Sequence, residues 1–229
     1  MKVLIAGCHG KMGQVAYQAV QRAGHEVIGV GSKDDLKQMV LDSKPDVMVD
    51  LTTPSQVEEH TRFAIENHLP IVVGTTGLNT ETIEALKKLA DQNHVGVIIA
   101  PNFSIGALVM MHCAQIASHF YDAIDIVEVH HPHKKDQPSG TALRTAAMLS
   151  KEAHIHSHRQ QGVLADQTVY FGGDGEVLSI KHHTTDRNCF MSGLLFSINK
   201  VKQIDCLVYG LDQLLFPNGA SAPADVFNG

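Results

Sequence analysis

Short apolar runs alternate with longer amphipathic stretches over the first hundred positions. Val3–Ala6, Val27–Val30, Val47–Leu51, Pro70–Val73 and Val95–Ile99 are apolar or nearly so. Such runs mark strands buried on both faces of a parallel sheet. Between them, residues 14–23, 34–41, 55–67 and 79–91 carry helical spacing, with Asn79 or Thr80 as candidate cap of the last. The alternation predicts a doubly wound parallel sheet. Right-handed crossovers then bring every strand's carboxyl end to one edge, where ligands bind. The turns at 7–13, 52–54, 74–77 and 100–104 fall on that edge.

The period changes after residue 104. Residues 105–120 read as a long helix, 124–129 as a strand and 141–152 as a helix. Thr168–Phe171 and Glu176–His183 read as strands joined through Gly172-Gly173-Asp174-Gly175, a hairpin-like turn. Another helix is expected over 190–199. From Lys200 the chain is hard to read, and its Pro-, Asn-, Gly- and Ala-rich end is expected to fray. The fold class is therefore α/β: a Rossmann-like doubly wound parallel sheet with a second, α+β domain.

At 229 residues, 44% of them hydrophobic, the chain can bury a real core in one large or two small domains. A formal net charge of −6 argues against general affinity for nucleic acid or membranes, while local positive charge can still serve a small anion. Cys8, Cys113, Cys189 and Cys206 are scattered without a C-x-x-C pair. That excludes a disulfide framework or zinc signature and fits free thiols in a reducing cytoplasm. The first residues run into glycines too early for a signal-peptide core, and no apolar run reaches transmembrane length.

Two segments carry chemistry. Gly7-Cys8-His9-Gly10-Lys11-Met12-Gly13 joins the first strand to the first helix as G-x-x-G-x-x-G, one residue off the usual dinucleotide fingerprint. Glycines let backbone amides approach a pyrophosphate, and the helix start adds partial positive charge. The second strand ends Val30-Gly31-Ser32-Lys33, without the acid that would grip ribose hydroxyls. Ser32 and Lys33 suit a 2′-phosphate and tilt the reading toward NADP. Lys33 reads equally well as a solvated loop lysine, and NAD stays open.

The second segment is Glu128-Val129-His130-His131-Pro132-His133-Lys134-Lys135-Asp136-Gln137-Pro138-Ser139-Gly140-Thr141-Ala142. Cations crowded this closely repel one another unless an anion shares the site. Lys134 suits a carboxylate. Ser139, Gly140 and Thr141 offer amides and hydroxyls at a helix start. If the strand continues through His131, His130 and His131 point to opposite faces. H-H-x-H also contains metal-ligand types, but it lacks H-E-x-x-H spacing and a nearby cysteine, and the lysines disfavour a cation. No metal is expected. His154, His156 and His158 alternate as well and would suit a metal on a strand; the simpler reading is a polar surface segment with incidental histidines. His182 and His183 are expected to end a strand and are assigned no role.

These motifs resemble the 4-hydroxy-tetrahydrodipicolinate reductase family, formerly dihydrodipicolinate reductase, of the diaminopimelate–lysine route. The similarity runs through most of the chain: G-x-x-G-x-M-G at 7–13, Gly74-Thr75-Thr76-Gly77, Ala100-Pro101-Asn102-Phe103-Ser104, and E-x-H-H-x-x-K-x-D-x-P-S-G-T-A at 128–142. The resemblance implies an NADPH- or NADH-dependent oxidoreductase acting on a small cyclic dicarboxylate. It puts Gly7, Gly10, Lys11, Met12, Gly13, Ser32 and Lys33 on the cofactor, and Gly74, Thr75, Thr76, Ala100, Asn102 and Phe103 near its nicotinamide half. It implies His130 as proton donor with Lys134 as catalytic partner. His131, Lys134, Ser139, Gly140 and Thr141 would hold the substrate carboxylates. It also implies a dinucleotide domain of 1–103 completed by 188–229, a substrate-binding and oligomerisation domain of 104–187, and a homotetramer built through the sheets of the latter.

The chain departs from the family in being short, with 149–159 trimmed. The family's R-x-G-D-x-x-G-E-H appears only as Arg159–Gln167, its glycine, acid and histidine positions altered. Other readings of the same residues are a non-catalytic NAD(P)H-sensing regulator, a different reductase on the same scaffold, and a metal hydrolase using His130, His131 and His133.

Overall fold

A computed structural model describes residues 1–217. The end expected to fray, which is also the last part of the 188–229 segment, lies outside the described residues. The elements run β1 (Lys2–Ala6), α1 (Lys11–Arg22), β2 (Glu26–Val30), α2 (Leu36–Ser43), β3 (Val47–Asp50), α3 (Val57–Glu66), β4 (Ile71–Val73), α4 (Thr80–Asn93), β5 (Val97–Ile99) and α5 (Ile105–Ala117). They continue with β6 (Ala123–His130), α6 (Gly140–Met148), β7 (His154–Arg159), β8 (Ala165–Gly173), β9 (Glu176–Thr184), α7 (Met191–Lys200), β10 (Leu207–Tyr209) and α8 (Asp212–Leu215). Two compact units result: Met1–Ser104 with Phe190–Leu214, and Ile105–Cys189 with residues 215–217.

The first unit holds six parallel strands in the order β10-β5-β4-β3-β1-β2. Val3, Leu4, Ile5 and Ala6 are all fully buried, as are Val47, Met48 and Val49. Consecutive strand residues point to opposite faces, so both faces of this sheet are covered. The strand order reverses between β1 and β3, and such a switch point opens a crevice beyond the carboxyl ends of the strands. Asn79 caps α4, its side chain accepting from the Thr82 amide at 2.8 Å. β10 has three residues and no period of its own; pairing with β5, Leu207 opposite Val97, is what makes it a strand. Gly96 lets the returning chain pass, since a Cβ there would lie 2.0 Å from the Val201 carbonyl oxygen.

The second unit is built on the sheet β7-β6-β8-β9, parallel between β6 and β7 and antiparallel elsewhere. α5 and α6 pack on one face, over buried Ile124, Ile126, Val169 and Phe171. Residues 154–159 are a strand, where the sequence suggested only a polar surface segment. His154, His156 and His158 occupy its exposed face while Ile155 points inward. One apolar residue in six leaves little hydrophobic signal, and parallel pairing with β6 supplies what composition does not. α6 ends at Met148 rather than 152 for the same reason: the chain is already turning into β7. Residues 215–217 group with this second unit rather than with the dinucleotide unit, and the Phe216 ring stacks on His112 at 3.9 Å. Among the described residues no helix is long and apolar enough to cross a membrane.

Candidate functional site

In the first unit a cleft of about 260 Å³ opens at the carboxyl ends of β1, β2 and β3. Gly7 and Gly10 form one wall, Val30, Gly31 and Ser32 another, and Leu51, Thr52 and Thr53 a third. The glycine turn is close-packed. Gly7 has φ +81°, and a Cβ there would lie 2.5 Å from the Leu51 carbonyl oxygen. A Cβ on Gly13 would lie 2.0 Å from the Gly7 carbonyl oxygen. Side chains are thus excluded where β1, α1 and β3 converge. Gly10 caps α1 with no side-chain hydrogen bond, so the first-turn amides lack a side-chain acceptor. Unsubstituted backbone at a helix start is the cradle a pyrophosphate needs, and the residues present fit NAD(P)H. Lys11 is exposed and Met12 half-buried at the head of α1; neither lines the cleft, and exposed Lys33 does not either.

Beneath the cleft, Asp50 is completely buried at the end of β3. Its carboxylate accepts from His60 Nδ1 at 2.7 Å, from the Thr52 amide at 3.0 Å, and from the hydroxyls of Thr52 and Thr75 at 2.8 and 2.7 Å. Burial alone would raise its pKa, but the four donors outweigh burial and hold it below the usual carboxylate range. Asp50 therefore ties the turn after β3 to the turn after β4, and the Thr75 hydroxyl is committed to it. A smaller cleft gathers Thr75, Thr76, Gly77, Pro101 and Tyr209. Gly74 packs under Phe103, whose ring edge would lie 2.6 Å from a Cβ at 74. Ala100 is buried, and the Asn102 side chain accepts from the Ser104 amide at 2.8 Å.

In the second unit β6 ends at His130, and the basic loop leads into α6. Glu128 is fully buried beneath that loop. Its carboxylate accepts from His130 Nδ1, from Arg159 Nη1 at 3.2 Å to each oxygen, and from the Ser139 amide at 3.3 Å. The Arg159 guanidinium also donates to the carbonyls of Asp136 at 2.6 Å and Lys134 at 3.3 Å, clamping the loop. Burial pushes the Glu128 pKa up, but the hydrogen bonds from His130 and Arg159 help hold it down. His130 is lowered, first by burial and also by Lys134 and Arg159, against the opposing pull of Glu128. Both directions fit one state: ionised Glu128 accepting from the Nδ1–H of a neutral imidazole, which leaves the second ring nitrogen, Nε2, without a proton.

Lys134 pairs with Asp136 at 2.7 Å, and Ser139 caps α6 by accepting from the Ala142 amide at 3.1 Å. Gly140 is exposed, and nothing would meet a Cβ there. Thr141 lies in the first turn of α6. His131 follows the strand rather than continuing it, and its buried Nδ1 has no protein partner. His133 is exposed, 6.2 Å from the His131 ring. No group of three or more His, Cys, Asp or Glu side chains among the described residues is arranged to hold a metal ion, and this applies to His154, His156 and His158 as well.

The family models for the N-terminus and the C-terminus of dihydrodipicolinate reductase match residues 1–103 and 106–215. The chain belongs to the dihydrodipicolinate reductase family. It is 37% identical over 261 aligned positions to 4-hydroxy-tetrahydrodipicolinate reductase of Bacillus velezensis, covering 94% of this chain and 98% of that one. It is 39% identical over 237 positions to the Coxiella burnetii enzyme of the same name, covering 94% and 99%. Among solved structures it is similar to dipicolinate-bound dihydrodipicolinate reductase from Paenisporosarcina sp. TG-14, with TM-score 0.85, 36% identity, and 93% and 99% of the two chains covered.

Several members of this reductase site escape sequence reasoning. Glu128 stands in the motif, but nothing in its spacing shows that it is buried under His130. Arg159 reads as the remnant of an altered loop, yet it is the clamp on residues 134–136. Asp50 and His60 are ten residues apart, and a single acid at the end of a strand is the only signal they offer.

Proposed function

We propose that this chain reduces 4-hydroxy-tetrahydrodipicolinate to tetrahydrodipicolinate with NAD(P)H, in the diaminopimelate route to lysine. The observation that carries the reading is the pair of buried Glu128 with His130, set beside Lys134 and the start of α6, in a chain that the family matches over residues 1–103 and 106–215. The substrate is a dicarboxylate ring. Lys134, the start of α6 at Gly140 and Thr141 and the Nδ1 of His131 are the groups that hold its carboxylates, the Ser139 amide being committed to Glu128, and the dipicolinate bound in the Paenisporosarcina structure is likewise a ring dicarboxylate.

Loss of water from the hydroxylated ring leaves a conjugated imine. NAD(P)H supplies a hydride to a ring carbon. The displaced electron pair moves toward the ring nitrogen, and a proton must meet it. His130 delivers that proton from Nε2 once protonated there, and Glu128 fixes the ring by holding Nδ1–H. The surroundings that lower the pKa of His130 make its imidazolium a stronger acid while reducing its population at neutral pH. Lys134 stabilises the growing negative charge. Gly7, Gly10 and Gly13 provide the pyrophosphate seat, with Ser32 at the adenosine end. Gly74, Thr75, Thr76, Ala100, Asn102 and Phe103 shape the nicotinamide end through backbone and packing.

We further assign the exposed face of the second unit's sheet to a homotetramer. Val177 and Tyr170 are 68% and 40% exposed there, more apolar surface than a solvated strand needs. A cytoplasmic location fits four cysteines without a disulfide.

The test is a coupled assay in which an upstream synthase makes the substrate from pyruvate and aspartate semialdehyde. Reduced-nicotinamide absorbance is followed with each cofactor in turn. Turnover supports the reading. Cofactor binding without turnover would leave a nucleotide-sensing protein in its place. Light scattering at the assay concentration reports the assembly.

A further inference from the structure

We propose that Asp50 is a positioning residue for hydride transfer. Its buried carboxylate holds the wall of the large cleft and the turn that shapes the nicotinamide end at a fixed separation. The inference rests on the cofactor reading above.

Among the described residues of the first unit Asp50 is the one buried acid, and its two oxygens serve different elements. Oδ2 accepts from Nδ1 of His60, on α3, at 2.7 Å. Oδ1 accepts from the amide and hydroxyl of Thr52 at 3.0 and 2.8 Å, and from the hydroxyl of Thr75 at 2.7 Å. Thr52 and His60 line the large cleft that holds the glycine turn. Thr75 lines the small cleft, together with Thr76 and Gly77. One side chain therefore touches the walls of both halves of the cofactor site.

The second of those walls depends on this hold. The ladder between β3 and β4 stops where the Gly74 amide donates to the Asp50 carbonyl at 2.9 Å. From there to α4, residues 74–79 belong to no helix or strand. Gly77 reaches back to the turn after β3, where a Cβ on it would lie 3.0 Å from the Pro54 Cβ. The Thr75 hydroxyl bond is thus the polar anchor at the root of the turn, and Pro54 is its apolar stop.

A neutral side chain of the same shape does not replace the carboxylate. Ionised, it has about four acceptor sites and no donor, and four donors converge on it here. An asparagine would turn an NH₂ group toward some of those donors. Burying a charge is costly unless such partners offset it. What the charge contributes to function is placement, and hydride transfer is sensitive to placement: a shift of about 1 Å at the reacting atoms costs about 10²-fold in rate.

The experiment compares the wild type with Thr75→Val, Thr75→Ser, Asp50→Asn and the Asp50→Asn, Thr75→Val double variant. Titration calorimetry gives dissociation constants for NADH and for ADP-ribose, which has the same adenosine half but no nicotinamide. The coupled assay gives kcat and its isotope effect with NADH deuterated at nicotinamide C4. Thr75→Val removes only the hydroxyl. It should leave ADP-ribose affinity within about twofold, weaken NADH, and lower kcat by about tenfold or more with a larger isotope effect. Thr75→Ser keeps the hydroxyl and should restore all three. Asp50→Asn also releases Thr52 and His60, so it should weaken ADP-ribose as well, by about tenfold. Within that background Thr75→Val should lower kcat no further, because both changes break the same link. The proposal is overturned if Thr75→Val leaves kcat and the isotope effect unchanged, if it weakens ADP-ribose as much as NADH, or if the two changes add in full. Should Asp50→Asn not fold, the Thr75→Val and Thr75→Ser pair decides alone. If neither ligand binds the wild type, the cofactor reading fails instead. If NADH binds without turnover, the reductase reading fails, and the NADH and ADP-ribose affinities of Thr75→Val still decide.

Discussion

Glu128→Gln isolates the charge under the catalytic loop while keeping its shape. Glu128 is fully buried and the Arg159 side chain is 17% exposed. Breaking one partner of such a pair costs about 3–5 kcal/mol when the other is left without compensation. Arg159 keeps its backbone acceptors at Lys134, Asp136 and His158, so the lower end applies, about 3 kcal/mol. In a chain of this length that lowers Tm by roughly 6–12 °C. Glu128 also raises the proton affinity of His130, against burial. Without that charge the imidazole pKa falls further, and fewer molecules carry the proton at neutral pH.

In the wild type, a donor whose folded pKa sits below about 6.5 gives a kcat/KM that declines as pH rises through that pKa. The variant's decline should begin at still lower pH, with kcat/KM near neutrality reduced and NADH affinity unchanged. Initial rates between about pH 5 and 8, with a thermal melt and a cofactor titration on the same sample, read all three. A variant that melts within about 2 °C of the wild type and keeps its pH profile would refute the role given to Glu128. A wild-type profile flat across this range would move the proton to Lys134.

Three further outcomes are expected. His130→Gln should lower kcat by about 10²–10⁴ while cofactor binding survives; near-normal turnover removes His130 from the chemistry. Asp50→Asn should cost about 1.5–3 kcal/mol at neutral pH in urea unfolding, as charged hydrogen bonds are lost. Because the folded pKa of Asp50 is depressed, its contribution is complete above about pH 4 and fades as pH falls through the folded value. The gap between wild type and variant should therefore close in acid, and a gap that stays constant to about pH 2 would contradict this account. Gly13→Ala places a methyl 2.0 Å from a backbone oxygen that cannot yield without opening the turn. NADH affinity should fall by more than about tenfold, and unchanged binding would show that the turn is not the pyrophosphate seat.

The hydrophobic pattern by itself determined the first hundred residues, because strands buried on both faces need unbroken apolar runs and little else produces them. It also placed the glycine turn and the basic loop at element ends, where backbone geometry makes those residue types necessary. Three-dimensional contact decided the rest. β7 and β10 are strands through pairing alone, one nearly without apolar residues and the other only three residues long. Glu128, Arg159, Asp50 and His60 gain their roles from burial and from partners far off in sequence. Local periodicity records which face of an element is buried. It carries no record of which distant polar groups meet there, since a charge in low dielectric is defined by its neighbours rather than by its position in the chain.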